Sequence, residues 1–135
     1  MAHKRKKKLL RILVVDDDEL LLSTIEEILL SKGYIVKTAK DGITALEKLQ
    51  FEPFDMVLTD LNMPGMNGLE LLEKIYSENM NVTPILMSSL FSSEIKSYAL
   101  QKGAYTNLVK PFSVNSLFTV IENSQRNKKG EVSQL

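Results

Sequence analysis

Short apolar runs alternate with longer amphipathic stretches along the chain, and the pair is repeated five times. The short runs have the length of strands, whereas the longer stretches space apolar residues three and four apart, as in a helix with one buried face. The predicted strands cover residues 11–15, 34–38, 55–60, 84–88 and 105–109. The predicted helices cover residues 19–31, 42–52, 69–77, 93–102 and 113–125. Residues 126–135 are polar and predicted to be loose.

The strand–helix alternation predicts the fold class. Five such pairs imply right-handed crossovers and an open parallel sheet covered by helices on both faces, which is an α/β fold. The nearly continuous apolar third strand agrees with cover on both faces. If the strand order is the flavodoxin-like 2-1-3-4-5, ligands bind at the carboxyl ends of strands one and three, where the order reverses.

Charged residues stand at the ends of the predicted strands. Asp16 and Asp17 follow the first strand, Asp60 closes the third, and Lys110 follows the fifth. At an effective dielectric constant of ~20, two carboxylates ~4 Å apart repel by roughly 4 kcal/mol, so the cluster needs a cation or a raised pKa. Oxygen ligands without histidine or cysteine favour Mg²⁺, with Mn²⁺ as a substitute. His3 lies in the tail and is not expected to be a ligand.

The same groups suit phosphoryl chemistry. A carboxylate at a Mg²⁺ site can attack phosphorus and form an aspartyl phosphate. Lys110 supplies a positive charge for a phosphoryl oxygen, and Ser89, after strand four, supplies a hydroxyl donor. Taken singly, Asp17 or Asp18 reads as the N-cap of the first helix, and Ser89 as a turn former. Their joint occurrence at the ends of different strands indicates a phosphoryl site.

Composition and charge narrow the possibilities. The absence of cysteine excludes disulfides and thiolate metal sites, which is compatible with a reducing cytoplasm. No apolar run approaches the ~20 residues that cross a bilayer. Residues 1–11 hold six of the 17 basic residues and none of the 17 acidic ones, so a basic tail precedes an acidic body. Such a tail can contact nucleic acid or an acidic partner, or it is a solvated terminus or a remnant of protein expression.

Four segments together resemble the receiver domain of the bacterial two-component response-regulator family. They are ILVVDDD (12–18), DLNMPGMNG (60–68), PILMSS (84–89) and KPF (110–112). The resemblance covers about residues 9–125 and implies the flavodoxin-like (βα)5 fold with strand order 2-1-3-4-5. We take residues 1–9 as a basic tail, 10–125 as the receiver domain and 126–135 as a polar tail.

The resemblance also assigns the acidic site. Asp60 would be the phosphoacceptor. It would receive the phosphoryl group from a histidine kinase, a histidine phosphotransfer protein or a small donor such as acetyl phosphate. Asp17 and Asp60 would bind Mg²⁺ directly, together with the backbone carbonyl of Asn62, and Asp16 would act mostly through water.

Two further residues receive roles from the resemblance. Ser89 would be the switch hydroxyl that moves towards the phosphoryl group. Lys110 would pair with Asp60 before phosphorylation and with the phosphate after it, and its peptide bond to Pro111 would be cis.

The resemblance implies a cytoplasmic signalling switch, and its output would be a changed binding surface on helix four, strand five and helix five. That surface would meet a downstream protein, and we expect no membrane partner, no nucleic-acid partner and no separate substrate turnover.

Two positions depart from the family pattern. Leu90, next to Phe91, stands where Ala or Gly is common after the switch hydroxyl. We expect it to crowd or shield the phosphoryl site, giving slow exchange with small donors or a long-lived phosphoryl group. Asn107 stands where Tyr or Phe often couples phosphorylation to the output surface. Either Tyr105, which is predicted on the same strand face, substitutes for that aromatic residue, or switching through an aromatic side chain is weak.

Two other functions stay open. One is a small phosphohydrolase of the haloacid dehalogenase type, with Asp16 as nucleophile and Asp18 two residues on, although the Asp-Gly-Thr continuation of that family is missing. The other is a pseudo-receiver, an interaction module that is never phosphorylated, because a fold does not determine its function.

Overall fold

The computed structural model describes residues 9–129, with side chains as far as Arg126. The strands are β1 Arg11–Val15, β2 Ile35–Ala39, β3 Met56–Asp60, β4 Thr83–Ser88 and β5 Thr106–Val109. The helices are α1 Glu19–Ser31, α2 Gly42–Phe51, α3 Gly68–Ser77, α4 Ser93–Gln101 and α5 Val114–Lys129. All neighbouring strands are parallel, and their order is β2-β1-β3-β4-β5. The predicted α/β class, flavodoxin-like topology and strand order are confirmed.

The sheet separates two buried layers, because alternate side chains of each strand point to opposite faces. One layer joins β1, β3 and β4 to α1 and α5, with Ile25 and Ile121 among its buried residues. The other face holds two clusters, one beneath α2 and α3 and one beneath α3 and α4. All five residues of β3 are buried, as predicted for a strand covered on both sides. The central strand β3 therefore carries Asp60 at its end on a rigid support.

Side-chain caps position the helices that start at the carboxyl edge of the sheet. Asp18, and not Asp17, caps α1, and its Oδ1 accepts the N–H of Leu21 at 3.2 Å. Ser113 Oγ accepts the N–H of Ser116 at 3.0 Å and so caps the start of α5. Because Asp18 is used as the cap, Asp16 and Asp17 are left for the site.

The prediction of a loose segment after residue 125 is wrong for residues 126–129, because α5 continues to Lys129. Arginine, asparagine and lysine cost less than ~1 kcal/mol each in a helix, and the segment reaches Gly130 before meeting a helix breaker. The predictions for residues 1–8, including His3, and for residues 130–135 lie outside the described residues. Among residues 9–129, no helix has the length and apolar composition that crossing a bilayer requires.

Candidate functional site

Three carboxylates meet at the carboxyl edge of the sheet, because β1 and β3 are adjacent strands. Asp16, Asp17 and Asp60 each offer an oxygen, and these oxygens lie within 4.8 Å of one another. Asp16 is 1% exposed and Asp60 is 7% exposed, whereas Asp17 is open to solvent. Such a cluster of hard oxygen donors fits Mg²⁺.

Lys110 bridges two of these carboxylates from the end of β5. Its Nζ lies 2.9 Å from Asp16 Oδ2 and 3.1 Å from Asp60 Oδ1. The Lys110 backbone N–H donates to the Ser88 carbonyl at 2.8 Å, which ties the end of β5 to β4. The Lys110–Pro111 peptide bond is cis, as the resemblance implied.

Asp16 is more fully engaged than its two neighbours. Its Oδ2 accepts from Lys110, and its Oδ1 accepts the backbone N–H of Asp18 at 3.0 Å. The carboxylate oxygens of Asp17 and Asp60 are therefore more available to a cation than those of Asp16. This arrangement is compatible with direct cation contacts from Asp17 and Asp60 and an indirect one from Asp16.

The environment shifts the pKa values of Asp60 and Lys110. Burial disfavours the charged carboxylate and raises the pKa of Asp60, and the charges of Asp16 and Asp17 add to this against the opposing effect of Lys110. Burial alone would lower the pKa of Lys110, but its hydrogen bonds to Asp16 and Asp60, together with the charges of these two carboxylates, outweigh burial and raise it. Three carboxylates against one ammonium leave a surplus of negative charge, which a divalent cation would neutralise.

The loop after β3 presents Asn62 beside the acidic cluster. Leu61 and Met63 are buried on either side of it, while Asn62 itself is exposed. The Leu61 N–H donates to the Met87 carbonyl at 2.8 Å, so the chain continues along β4 past Asp60. The backbone of Asn62 is thus held at the same edge as the three carboxylates.

Gly68 supports Asp60 from beneath, a role that sequence reasoning missed. A Cβ at this position would overlap the backbone carbonyl of Asp60. The Gly68 N–H also donates to the Leu61 carbonyl at 2.9 Å. The first residue of α3 therefore packs directly on the strand end that carries Asp60. The signals in the sequence were a glycine directly before the predicted helix and its place at the end of the DLNMPGMNG segment.

Gly68→Ala is expected to destabilise the fold by ~1–3 kcal/mol and to slow the phosphorylation of Asp60 that the resemblance implies, because the new methyl group must displace the backbone of Asp60. Urea unfolding gives the first quantity, and intact mass after treatment with acetyl phosphate gives the second. Gly33→Ala is the matched control. Gly33 has a φ of +91° but nothing within 4 Å of its ideal Cβ, so its substitution costs ~1–2 kcal/mol of backbone strain without touching the site. Equal phosphorylation of the two variants would contradict the supporting role of Gly68.

Ser89 lies beside Lys110, where the resemblance places the switch hydroxyl. It is exposed and lines a cavity of about 350 Å³ with Leu21, Lys110, Pro111 and Phe112. Leu90 is 79% exposed, so its side chain does not cover the site in this conformation, and its effect on phosphoryl exchange stays a prediction. Its side chain projects into solvent because its own backbone is held in a turn.

Ser88 makes that turn, and it was not singled out from the sequence. It is fully buried. Its hydroxyl donates to the Leu90 carbonyl at 3.0 Å and accepts the Leu90 N–H at 3.2 Å. The backbone on both sides of Ser89 is thus tied to the end of β4.

Asn107 and Tyr105 lie on different sides of the sheet. Asn107 pairs with Leu86, whose side chain belongs to the cluster beneath α3 and α4. Its Oδ1 is buried and has no hydrogen-bond partner among the described residues. Tyr105 packs against the cluster beneath α1 and α5, so the prediction that it shares a face with Asn107 is wrong. Strict alternation does not extend to Tyr105, because β5 begins only at Thr106.

Comparison with known proteins agrees with this geometry. The chain is 37% identical over 93 residues to the transcriptional regulatory protein ZraR of Klebsiella oxytoca, covering 69% of this chain and 21% of ZraR. It thus spans about a fifth of that relative. A receiver domain protein (CheY-like) from Methanospirillum hungatei superposes with a TM-score of 0.87 at 32% identity, covering 92% of this chain and 99% of the other.

A further solved structure holds a metal. CheY in the CheX-CheY-BeF3-Mg²⁺ complex from Borrelia burgdorferi superposes with a TM-score of 0.81 at 29% identity, covering 86% of this chain and 89% of the other. The sequence profile of the response regulator receiver domain matches residues 12–122. The chain therefore belongs to the response regulator receiver domain family of two-component signalling.

Proposed function

We propose that this chain is a phosphorylation-dependent switch that accepts a phosphoryl group on Asp60 from a phosphohistidine of a histidine kinase or phosphotransfer protein. The observation that carries the proposal is the bridge of Lys110 between Asp16 and Asp60, beside the open carboxylate of Asp17. This arrangement offers a nucleophile, a cation site and a positive charge at one edge. The beryllofluoride and Mg²⁺ of the CheX-CheY complex lend support by analogy.

The chemistry is an in-line transfer to a carboxylate. An oxygen of ionised Asp60 forms the new P–O bond, the P–N bond to the donor imidazole breaks, and that nitrogen keeps the electron pair and takes a proton. Bound Mg²⁺ would neutralise charge between the carboxylates and the phosphoryl oxygens, held by Asp17, Asp60 and the carbonyl of Asn62.

Lys110 and Asp16 act together during the transfer. Lys110 turns from Asp60 to a phosphoryl oxygen while Asp16, 2.9 Å away, continues to hold its ammonium. Ser89 donates its hydroxyl to another phosphoryl oxygen. Because all these groups serve one covalent event on the protein itself, we expect no separate substrate turnover.

The output surface lies on α4, β5 and α5. Leu100, Val109 and Val114 are exposed apolar residues on these three elements. Exposed apolar side chains suit a protein partner better than nucleic acid. We therefore propose that a downstream protein reads the state of Asp60 at this surface.

Intact mass spectrometry tests the proposal. Incubation with acetyl phosphate or phosphoramidate in Mg²⁺ should add one phosphoryl group, and EDTA should prevent the addition. No gain from either donor in Mg²⁺, in the parent and in Leu90→Ala alike, would overturn the proposal in favour of a pseudo-receiver. Steady release of p-nitrophenol from its phosphate ester would instead indicate the phosphohydrolase. The burial of Asp16 and the engagement of both its oxygens disfavour it as the nucleophile of such an enzyme.

Leu90→Ala is expected to accelerate both phosphorylation by acetyl phosphate and loss of the phosphoryl group, by roughly 3- to 10-fold. The reason is that Ser89 must carry Leu90 with it towards the phosphoryl group, where the side chain would exclude water. Time courses of intact mass measure both rates. Leu100→Ala is the matched control, since it removes another exposed leucine side chain, on α4. Unchanged rates in Leu90→Ala would contradict this role.

A further inference from the structure

Helix α4 is only lightly attached to the rest of the domain. Ala99 is its one fully buried residue. Phe91 and Ile95 are only partly buried against the cluster beneath α3 and α4. A groove of about 590 Å³ lies between α3 and α4 and is lined from both helices. With so little apolar burial, polar contacts across this groove contribute a large part of what holds α4 in place.

Two contacts bridge the groove at the C-terminal half of α4. The Tyr98 hydroxyl donates a hydrogen bond to the Glu73 carboxylate on α3. This bond raises the pKa of Tyr98, so the phenol stays a donor at neutral pH. The Lys102 ammonium lies 5.7 Å from the Tyr98 ring centroid and 5.1 Å from that of Tyr76 on α3. We name the contact formed by Glu73, Tyr98 and Lys102 the α3–α4 latch.

The other half of α4 is connected to the phosphoryl site by a short and constrained loop. Ser89 is four residues before the start of α4 at Ser93. The hydroxyl of Ser88 holds the backbone of Leu90, and Ser92 caps the helix by accepting the Ile95 N–H at 3.1 Å. Helix α4 is ~14 Å long at 1.5 Å per residue, so its two ends are close together. A displacement of Ser89 and Leu90 therefore pulls on a helix whose far half is held by the latch.

The α3 side of the latch is the fixed side. The first residue of α3, Gly68, packs on the backbone of Asp60, and Leu71, Leu72 and Ile75 are buried. Glu73 thus projects from a helix that is anchored both to the core and to the phosphoacceptor strand. Of the two glutamates on this side of the groove, Glu70 is used in the capping box with Asn67, which leaves Glu73 to hold Tyr98.

We propose that the α3–α4 latch holds α4 in its unphosphorylated position and opens when Ser89 moves towards a phosphoryl group on Asp60. This inference rests on the proposed function. Because coupling between two sites is reciprocal, a latch that opens on phosphorylation also opposes phosphorylation while it is closed. Tyr98 and Glu73 are therefore positioning residues for the switch, and a partner that opens the groove would favour the phosphorylated state.

The test compares the affinity for beryllofluoride, a phosphoryl mimic, in saturating Mg²⁺ by isothermal titration calorimetry. Tyr98→Phe removes only the hydroxyl and should bind beryllofluoride roughly fivefold more tightly than the parent. Glu73→Gln keeps an acceptor oxygen and should show a smaller gain. The double variant should gain no more affinity for beryllofluoride than Tyr98→Phe alone, since both substitutions act on the same hydrogen bond. Tyr76→Phe is the matched control, because the Tyr76 hydroxyl lies outside the latch. This variant should bind beryllofluoride with the same affinity as the parent.

Hydrogen exchange in the unliganded protein provides a second readout. Amides of α4 should exchange faster in Tyr98→Phe than in the parent, while amides of α2 should not change. An unchanged beryllofluoride affinity in Tyr98→Phe, or additive effects in the double variant, would overturn the coupling. If the parent itself bound no beryllofluoride, the proposed function would fail and the coupling with it. The hydrogen-exchange rates of the α4 amides would then still show whether the latch holds the helix in place.

Discussion

Asp60→Asn is expected to abolish phosphorylation completely and, at neutral pH, to stabilise the unphosphorylated fold. The amide is not a nucleophile towards phosphorus, and no other carboxylate takes its place. Asp16 is buried with both oxygens engaged, and Asp17 lies after the end of β1, the strand next to that of Asp60. Removing the Asp60 charge also removes the free-energy cost of burying that charge and its repulsion from the charges of Asp16 and Asp17. Lys110 keeps Asp16 as its partner.

The stability effect has a definite pH dependence. The raised pKa of Asp60 means that the folded chain holds this proton at pH values where the unfolded chain has lost it. The parent therefore loses stability as the pH rises from the ordinary aspartate pKa of ~3.9 through the raised value, and above that value the loss is complete. Asp60→Asn does not lose stability in this way. The difference in unfolding free energy between the variant and the parent therefore grows across that pH window and then levels off.

Urea unfolding of both proteins from pH 3.5 to pH 8, with intact mass for phosphorylation, measures the two effects. Asp41→Asn is the matched control. Asp41 caps α2, and its hydrogen bond from the Thr44 N–H lowers its pKa, so its charge adds stability that is present above the ordinary aspartate pKa and lost as the pH falls. Asp41→Asn should therefore show the opposite trend with pH and normal phosphorylation. Phosphorylated Asp60→Asn protein would contradict the assignment of the acceptor.

Lys110→Ala is expected to slow phosphoryl transfer from acetyl phosphate by roughly 10²- to 10³-fold, the usual cost of removing one donor to a developing charge. The same change should tighten Mg²⁺ binding, because it removes the positive charge that lies 2.9 and 3.1 Å from two of the carboxylates. Time courses of intact mass and a Mg²⁺ titration measure these effects. Opposite changes in rate and in metal affinity distinguish an electrostatic role from simple loss of the fold.

The same substitution should also destabilise the protein in the absence of Mg²⁺. It leaves Asp16 buried without its ammonium partner, and breaking such a pair costs ~3–5 kcal/mol, with the lower end expected because Lys110 is partly exposed. Lys40→Ala is the matched control. Its pair with Glu19 is 3.2 Å long but well exposed, so it should cost less than ~1 kcal/mol and leave phosphorylation unchanged. Equal transfer rates in Lys110→Ala and the parent would contradict the role of Lys110.

Local patterns accounted for most of the fold and for the composition of the candidate site. The helical spacing in α1 and the continuous apolar run of β3 are properties of neighbouring residues, so they can be recognised without tertiary information. Element ends were less certain. β2 lies one residue later than predicted, because its pairing with β1 begins at Ile35. Helix α5 runs to Lys129, because nothing in its polar end breaks the helix.

Sequence by itself determined which residues reach the carboxyl edge of the sheet. Alternating strands and helices with right-handed crossovers give parallel strands, and the residues that end such strands lie at one edge of the sheet. The strand order 2-1-3-4-5 was implied by the family resemblance. Asp16, Asp17, Asp60 and Lys110 follow from that rule. The rule does not say which atoms touch.

Tertiary structure alone decided the contacts. Lys110 and Asp16 are 94 residues apart, and only the packing of β5 against β4 and of β1 against β3 brings Nζ within 2.9 Å of the buried carboxylate. Gly68 beneath Asp60, and Tyr98 against Glu73, likewise depend on how a helix settles on its neighbours. Hydrophobic periodicity encodes which face of an element is buried, but the side-chain partner across an interface depends on the distances and angles between elements, which no local pattern contains.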